Sequence, residues 1–543
     1  MAPIFIGVDV GTGSARAGLF DEHGRLLASA KRPITIWHEP GHVVEQSSAQ
    51  IWQAICASVR EAVDTARIDP SAVAGIGFDA TCSLVAIGED GAPVTVSPTG
   101  DAERNIIVWM DHRATGEAAE INAGKHDVLR YVGGVISPEM ETPKLLWLKR
   151  NLPQSFCKAA HFFDLADYLT WRATGSLSRS ACTVTCKWTY LAHEKRWDAA
   201  YFQAIGLGQL ADEGFKRIGT EIVDPGTALG QGLTEQAAAD LGLLAGTPVG
   251  ASLIDAHAGG IGTLGGLDRQ AEARAQNRLA YIFGTSACSM ASSDQPAFVD
   301  GVWGPYYSAM IPGLWLTEGG QSAAGAAIDH LVTLHPAAPK AQQDAAAEGL
   351  SLVSWLDREV QRKCADASEA VRLARDLHVV PEFLGNRSPH ADPSARAIIS
   401  GLALDTDLDS LVALYVAGLC GLGYGLRQLL DTLARNGMTL DLIVASGGAA
   451  QSALVRQVLA DTSGLPVAVA ETEEPVLLGA AMLGATASAR YAALTDAMSA
   501  MSRLSAFYQP ATDDIKALHA LRYRAFSRLQ EVQREIRLRS DVP

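Results

Sequence analysis

A basic surplus is missing from this chain: Lys and Arg number 44 against 60 Asp and Glu, a formal net charge of −16. A surface of that sign repels phosphodiester backbones and anionic lipid, which argues against nucleic acid and membrane as partners. Small anionic ligands stay possible, because backbone N–H groups and helix N-termini bind phosphate locally. Cysteine is scarce as well, eight in 543 residues, too few for a disulfide scaffold. Cys56, Cys82, Cys157, Cys288, Cys364 and Cys420 lie scattered in apolar stretches, so reduced, buried thiols in a cytoplasmic setting are expected. Cys182 and Cys186 stand at C-x3-C spacing, but no second Cys/His pair is near enough in sequence to complete a zinc site. Residues 2–10 have no basic n-region and Asp9 interrupts the run, so this is read as a strand and not a signal peptide. The uncharged run 410–426 holds four glycines and is marginal against the roughly 18 residues of a bilayer span. A buried core helix is expected there. No G-x4-G-K-[ST] occurs, which excludes a P-loop enzyme.

What the chain does carry is apolar surface: 48% hydrophobic residues against 19% charged, enough to offset ordering entropy throughout. Its length suggests two to four domains at about 150 residues each. Apolar runs at 4–10, 17–20 and 25–30, separated by Gly-containing turns, read as successive β-hairpins. Ser47 and Gln50 form a capping box for a helix in which Ile51, Ile55 and Val59 recur at helical spacing. Short strands at 74–78 and 106–108 end in polar residues, Asp79 to Ser83 and Trp109 to Arg113. In open α/β sheets ligands bind at that edge. Residues 278–291 repeat the opening on a looser template: strand, Gly284-Thr-Ser286 turn, strand. The halves therefore look duplicated, with a boundary in the Ala/Gly/Arg/Gln-rich stretch 265–277. Thr406 with Asp409 opens a helix predicted to run to Asn436, with Gly437 as its C′ residue. A strand at 442–445 leads into a helix expected to begin within 446–451. Near the end, Ile515, Leu518, Ala525, Leu529, Val532 and Ile536 make one apolar stripe on a basic helix, read as a packing helix.

A Gly/Thr/Ser turn between two strands points several backbone N–H groups into one concavity, and glycine lets a phosphate approach closely. Thr12, Ser14, Thr285 and Ser286 add hydroxyl donors. Two such loops in duplicated positions suit a triphosphate, which needs donors on both sides. Asp9, two residues before the first loop, is a magnesium carboxylate or a turn cap. Gly260-Ile-Gly-Thr-Leu-Gly265 fits the dinucleotide fingerprint, but Asp255 and His257 occupy the turn where its pyrophosphate glycine belongs. Close helix packing is the better explanation of those glycines. Asp255, at a strand end beside a helix start, is a general base or a helix N-cap. His257 is a structural histidine or a supporting partner of the site.

The segments GVDVGTGSAR at 7–16, WMDHR at 109–113, IDAHAG at 254–259, FGTSAC at 283–288 and EGGQSAAG at 318–325 resemble, in order, those of the FGGY carbohydrate kinases. GNRSPHADPSAR at 385–396, ASGGAAQS at 445–452 and EPVLLGAAMLGA at 474–485 extend the likeness over essentially the whole chain. The resemblance implies an α/β fold of two actin/hexokinase-like, ribonuclease H-like ATPase domains with a cleft between them. It sets a sugar-binding domain at 1–268, a nucleotide-binding domain at 269–490 and a helical extension at 491–543. It makes Asp255 the catalytic base and Asp9 the Mg2+ carboxylate. ATP is then held by Gly11, Thr12, Gly13, Ser14 and Arg16, by Gly284, Thr285, Ser286 and Gln321, and, around adenosine, by Gly447, Gly448 and Gln451. The sugar is held by Cys82, Ser83, Trp109, Asp111, His112, Lys187, Asp255 and Glu318. Glycerol kinases carry Gln-Arg-Glu where this chain has Thr81-Cys-Ser-Leu-Val85, and TCSLV resembles the D-ribulokinase branch. The expectation is therefore an ATP- and magnesium-dependent kinase acting on the terminal hydroxyl of D-ribulose. Ribitol, xylulose or L-ribulose are rival substrates, and an actin- or chaperone-like ATPase is the alternative from another class. Lys187 reads as a sugar contact or as a lysine snorkelling on a surface strand. Small-molecule sugar and ATP are the expected partners, and a homodimer stays open.

Overall fold

The computed structural model describes residues 2–265 and 275–540, so the expected domain boundary at 268/269 lies outside the described residues. Strands β1 (Ile4–Val10), β2 (Ser14–Asp21), β3 (Leu26–Pro33), β4 (Val73–Ala80) and β5 (Val249–Ile254) form one sheet in the order β5-β4-β1-β2-β3. β5, β4 and β1 run parallel, and β1-β2-β3 is an antiparallel meander. β1 is buried at every residue, as a central strand covered on both faces must be. Helix α1 (Ser48–Ala66) packs on β2 and β3, its N-terminus capped by Ser47 Oγ accepting from Gln50 N.

The second half repeats this pattern. β6 (Arg278–Phe283), β7 (Ala287–Ser293), β8 (Trp303–Tyr307), β9 (Trp315–Gln321), β10 (Leu442–Ser446), β11 (Val467–Ala470) and β12 (Leu504–Tyr508) are ordered β8-β9-β7-β6-β10-β11-β12. The run β11-β10-β6-β7-β9 has the same sequence of parallel and antiparallel pairings as β5-β4-β1-β2-β3. The duplication read from two turns thus extends through both sheets.

Helix α3 (Asp255–Leu264) leaves β5, and α7 (Pro475–Ala487) packs against α3, β1 and β4 at once. This contact is backbone against backbone. A Cβ on Gly7 would lie 1.9 Å from Leu477 O, and one on Gly77 2.0 Å from Ala480 O. Across the helix pair, Gly262 would meet Pro475 O at 1.9 Å and Gly479 would meet Ala258 O at 2.0 Å. The glycines at 260–265 are therefore packing residues, as expected. α7 also belongs to the stretch assigned to the second domain, yet it covers the first sheet, and one hydrophobic cluster joins Leu253 and Ala258 to Met290, Tyr306 and Leu477.

Four local readings are corrected. Helix α5 (Leu408–Arg435) is capped by Asp407, whose side chain accepts from Ser410 N, and not by Thr406, because the aspartate is one residue closer to the first free N–H. Residues 449–451 form a single 3-10 turn, and the next helix, α6 (Ala453–Ser463), begins only after Ser452 caps it. Residues 491–543 are not wholly helical, since β12 adds an edge strand to the second sheet. In the terminal helix α8 (Asp513–Ser540) the buried face is Ile515, His519, Arg522, Phe526 and Gln530, while Val532 and Ile536 stay exposed. Leu518 and Leu529 of the expected stripe pack partly buried against the core, and polar side chains join them by holding neighbouring groups: Tyr424 Oη lies 2.8 Å from His519 Nδ1, and Arg522 Nη1 donates to Arg375 O at 2.8 Å. The apolar run at 410–426 is a core helix, and 78% of the most apolar stretch of α5 is buried inside the protein.

Because the α7 contact leaves no room for a side chain, Gly7→Ala is expected to cost about 1–3 kcal/mol by overpacking, read by urea unfolding. Gly116→Ala, in the helix Thr115–Ala123 with open space around it, serves as the control and should be neutral or slightly stabilising.

Candidate active site

The parallel strands β1, β4 and β5 end in register, which brings three carboxylates together. Asp9 pairs with Asp79, and Leu253 with Asp79, so Asp255 follows at the first turn of α3. Asp9 is almost fully buried and accepts from Arg16 Nε at 2.7 Å, while Arg16 Nη1 donates to Glu474 at 2.7 Å. Asp79 is fully buried, and among the described residues neither of its oxygens meets a donor. Burial first, then the Asp9 and Asp255 charges, push its carboxyl well above the usual range. Asp255 accepts the Ala256 N–H at 2.7 Å. Burial and then Asp9 raise its carboxyl to about 6, a value suited to a base working near neutrality.

Two hairpin loops flank these strand ends. Residues 11–14 are closed by Gly11 N donating to Ser14 O at 3.0 Å, and residues 284–286 by Gly284 N donating to Ser286 O at 2.9 Å. Gly13 and Thr285 are exposed at the tips. The first loop is braced by Gln46 Nε2 and Trp109 Nε1, which donate to Thr12 O at 2.8 Å and Thr12 Oγ1 at 3.0 Å. The second leans on the start of α4 (Gly325–Thr333), where Gly325 N donates to Gly284 O at 2.9 Å. Gly447, after β10, adopts φ +92°, and a Cβ there would lie 2.6 Å from Phe283 O. Gly448 beside it has open space, and Gln451 is exposed.

The third part is a pocket wall drawn from both halves. Lys187 lies on helix α2 (Ala181–Trp188), not on a surface strand. Burial opposes its charge, but Cys82, Tyr306 and Glu318 nearby hold the ammonium well above its ordinary pKa. Its Nζ is 5.8 Å from the centre of the Trp303 ring, and the Arg387 guanidinium is 5.5 Å from that same centre. Arg387 also reaches Cys288 Sγ at 3.9 Å. Glu318 faces His257, Lys187 and Arg387; despite burial, those cations keep its carboxylate below the ordinary range. Asp79, Trp303 and Arg387 were not among the expected site residues. Asp79 stands at a strand end and Arg387 within the 385–396 motif, which are the signals that could have found them.

Several expected contacts are engaged elsewhere. Asp111 is wholly buried and accepts from Val44 N at 2.6 Å and from Arg113 Nη2 at 2.7 Å, while Arg113 also donates to Glu45 at 2.8 Å. A carboxylate so saturated has no lone pair left for sugar, and it holds the pocket's backbone instead. Ser83 Oγ accepts from Trp109 N at 3.1 Å, and His112 points outward to Glu139 at 3.2 Å. Gln321 is spent between Tyr281 Oη and Leu422 O at 3.0 and 2.8 Å. Arg16 is likewise held by two carboxylates. Among the described residues no cluster of three or more His, Cys, Asp or Glu could hold a metal. Removing one partner of the buried Asp111–Arg113 pair should be costly, so Asp111→Asn is expected to lose about 3–5 kcal/mol in denaturant unfolding. An unchanged midpoint would return Asp111 to the sugar pocket.

Residues 4–262 match the FGGY family of carbohydrate kinases, N-terminal domain, and residues 279–488 its C-terminal domain. An FGGY carbohydrate kinase domain-containing protein of Danio rerio is 46% identical over 539 residues, covering 98% of both chains. A D-ribulokinase of Saccharomyces cerevisiae is 38% identical over 515 residues, 90% of this chain and 72% of that protein. The fold matches that of xylulose kinase from Rhodospirillum rubrum with a TM-score of 0.78 and 24% identity, over 98% of this chain and 99% of that one. Duplicated sheets, paired Gly/Thr/Ser loops and strand-end carboxylates are thus those of a two-domain sugar kinase, and the chain belongs to the FGGY family of carbohydrate kinases.

Proposed function

We propose that this kinase transfers the γ-phosphoryl group of ATP to the terminal hydroxyl of D-ribulose, giving D-ribulose 5-phosphate. The observation that carries the reading is the juxtaposition of Asp255, raised to about 6, with a wall holding both Lys187 and Glu318. A ketose presents a carbonyl oxygen at C2, an acceptor only, and an ammonium is a donor only. Glu318, a carboxylate, accepts hydrogen bonds from the sugar hydroxyls on the other side. The relation to a D-ribulokinase at 38% identity supports the ketose reading, and Thr81 to Val85 in place of Gln-Arg-Glu speaks against glycerol.

In this reading the sugar lies against the wall drawn from both halves, and the ATP phosphates lie at the two hairpin loops. The Asp255 carboxylate accepts the hydroxyl proton as that oxygen attacks the γ-phosphorus, and ADP departs. Backbone N–H groups of loops 11–14 and 284–286 stabilise the charge on the transferred group. A magnesium ion fits the oxygen donors Asp9 and Asp79, since Mg2+ takes one or two carboxylates alongside water and phosphate. When bound it neutralises phosphate charge. Trp109 and Ser83 act through the loop and backbone they brace, and Gly447, Gly448 and Gln451 line the adenosine side. Free thiols at all eight cysteines suit a cytoplasmic setting.

A coupled ADP-release assay over D-ribulose, D-xylulose, L-ribulose, ribitol and glycerol tests the assignment, and turnover that ignores all of them overturns it. Asp255→Asn keeps shape but cannot accept a proton, so kcat should fall about 100-fold or more with ATP KM unchanged. The base works ionised, so parent kcat should be flat above about 6 and drop roughly tenfold per pH unit below it. Lys187→Met removes a charged hydrogen bond, and kcat/KM on D-ribulose should fall about 10- to 150-fold, with a smaller loss on ribitol. Equal losses would mean that Lys187 does not read C2.

A further inference from the structure

The sugar-facing wall joins two halves of the chain, and Glu318 is its carboxylate from the second sheet. Something must fix that carboxylate relative to Lys187 and Asp255, which belong to the first half. His257 occupies this place. It sits on the first turn of α3, two residues beyond Asp255, and is 1% exposed. Its Nδ1 lies 3.1 Å from Cys182 Sγ on α2, and its Nε2 lies 3.5 Å from Glu318 Oε2. The sulfur has a further donor. The Ile254 N–H, one residue before Asp255, reaches it at 3.3 Å, and Cys186 stands one helical turn on.

This environment decides the protonation of both groups. Burial would push the Cys182 thiol up, but the Cys186 thiol, the His257 charge and the Ile254 N–H together draw it below its ordinary range. Burial would likewise deprotonate His257, yet Cys182 and Glu318 hold it above its ordinary value. The resulting imidazolium carries two N–H groups, one for each acidic neighbour, whereas a neutral ring carries one. The ring is thereby pinned at both ends. C-x3-C spacing puts Cys182 and Cys186 one helical turn apart, so the sulfur that holds the ring is itself held.

We propose that His257, seated on Cys182, is the positioning residue that aims the Glu318 carboxylate at the sugar. The inference rests on the sugar-kinase reading of this pocket given above. It makes His257 a partner of Glu318 rather than of Asp255, and it gives Cys182 and Cys186 a role that requires no metal. Because Glu318 touches sugar and not nucleotide, loss of the device should weaken sugar binding selectively.

Steady-state kinetics on the full chain, with whichever sugar of the panel is turned over fastest, tests this. An asparagine amide occupies the place of Nδ1 and cannot reach Glu318, whereas a glutamine amide occupies the place of Nε2. His257→Asn should raise sugar KM about 10-fold or more while ATP KM stays unchanged. His257→Gln should recover most of that loss. On a Glu318→Gln background, His257→Asn should add nothing, since the carboxylate it aims is gone. Equal losses for Asn and Gln, a parallel rise in ATP KM, or additive effects in the double variant would each overturn the proposal. Should His257→Asn fail to fold, Cys182→Ser provides an independent reading: ultraviolet thiolate absorbance at neutral pH, present in the parent, should vanish in the variant. Its absence from the parent overturns the pairing. A parent inert toward every sugar fails the functional reading, and the thiolate signal then decides the pairing alone.

Discussion

Helix α7 lies against β1, β4 and α3 at a separation that admits no Cβ, and the rest of the molecule is arranged around that contact. The surfaces that meet are Gly7, Gly77 and Gly262 on one side and the backbone of residues 475–484 on the other. Backbones this close gain dispersion and Cα–H···O contacts, each small and collectively large. The consequence reaches the chemistry. α7 comes from the second half of the chain, and Glu474 at its N-cap bonds Arg16, which in turn holds Asp9. A carboxylate of the first sheet is thus oriented by a residue 465 positions later in the chain, counted as 474 minus 9. The same helix covers the floor beneath Asp255 through its packing on α3.

Asp9, Asp79 and Asp255 in register are electrostatically costly, and the fold answers that cost in two ways. Arg16 neutralises Asp9, and burial without a compensating donor pushes the Asp79 carboxyl up. Asp255 is left with a carboxyl near 6, neither a strong acid nor permanently neutral. Phosphoryl transfer brings further negative charge to this edge, which the loop N–H groups and a divalent cation are suited to meet.

The sugar wall uses the other half of the architecture. The Trp303 ring of the second half has Lys187 of the first and Arg387 of the second near its centre. Such an arrangement makes the pocket depend on how the two halves sit, because neither supplies the full set of donors and acceptors. Asp111 shows the complementary case: a polar residue of a family motif whose work is to knit Arg113, Glu45 and the Val44 backbone together.

Much of this was legible in one dimension. Hairpin turns, the Ser47 cap, the duplicated strand–loop–strand unit and the polar strand ends all depend on residues within a few positions of one another, where glycine, side-chain capping and period-two burial act. The motifs named the family for the same reason, since each is a short run in fixed order. Contacts between distant positions were not legible. Which carboxylates share a site depends on strand order and register. Whether Asp111 or Gln321 faces ligand depends on partners 67 and 101 residues away. The face of α8 that is buried was set by hydrogen bonds to α5 and to the chain before α5 as well as by its own apolar spacing. The sequence by itself determined the elements, their duplication and the chemistry available at strand ends. Only the tertiary structure decided which of those groups are spent on each other and which stay open, because hydrogen bonds and burial are shared among residues the chain holds far apart.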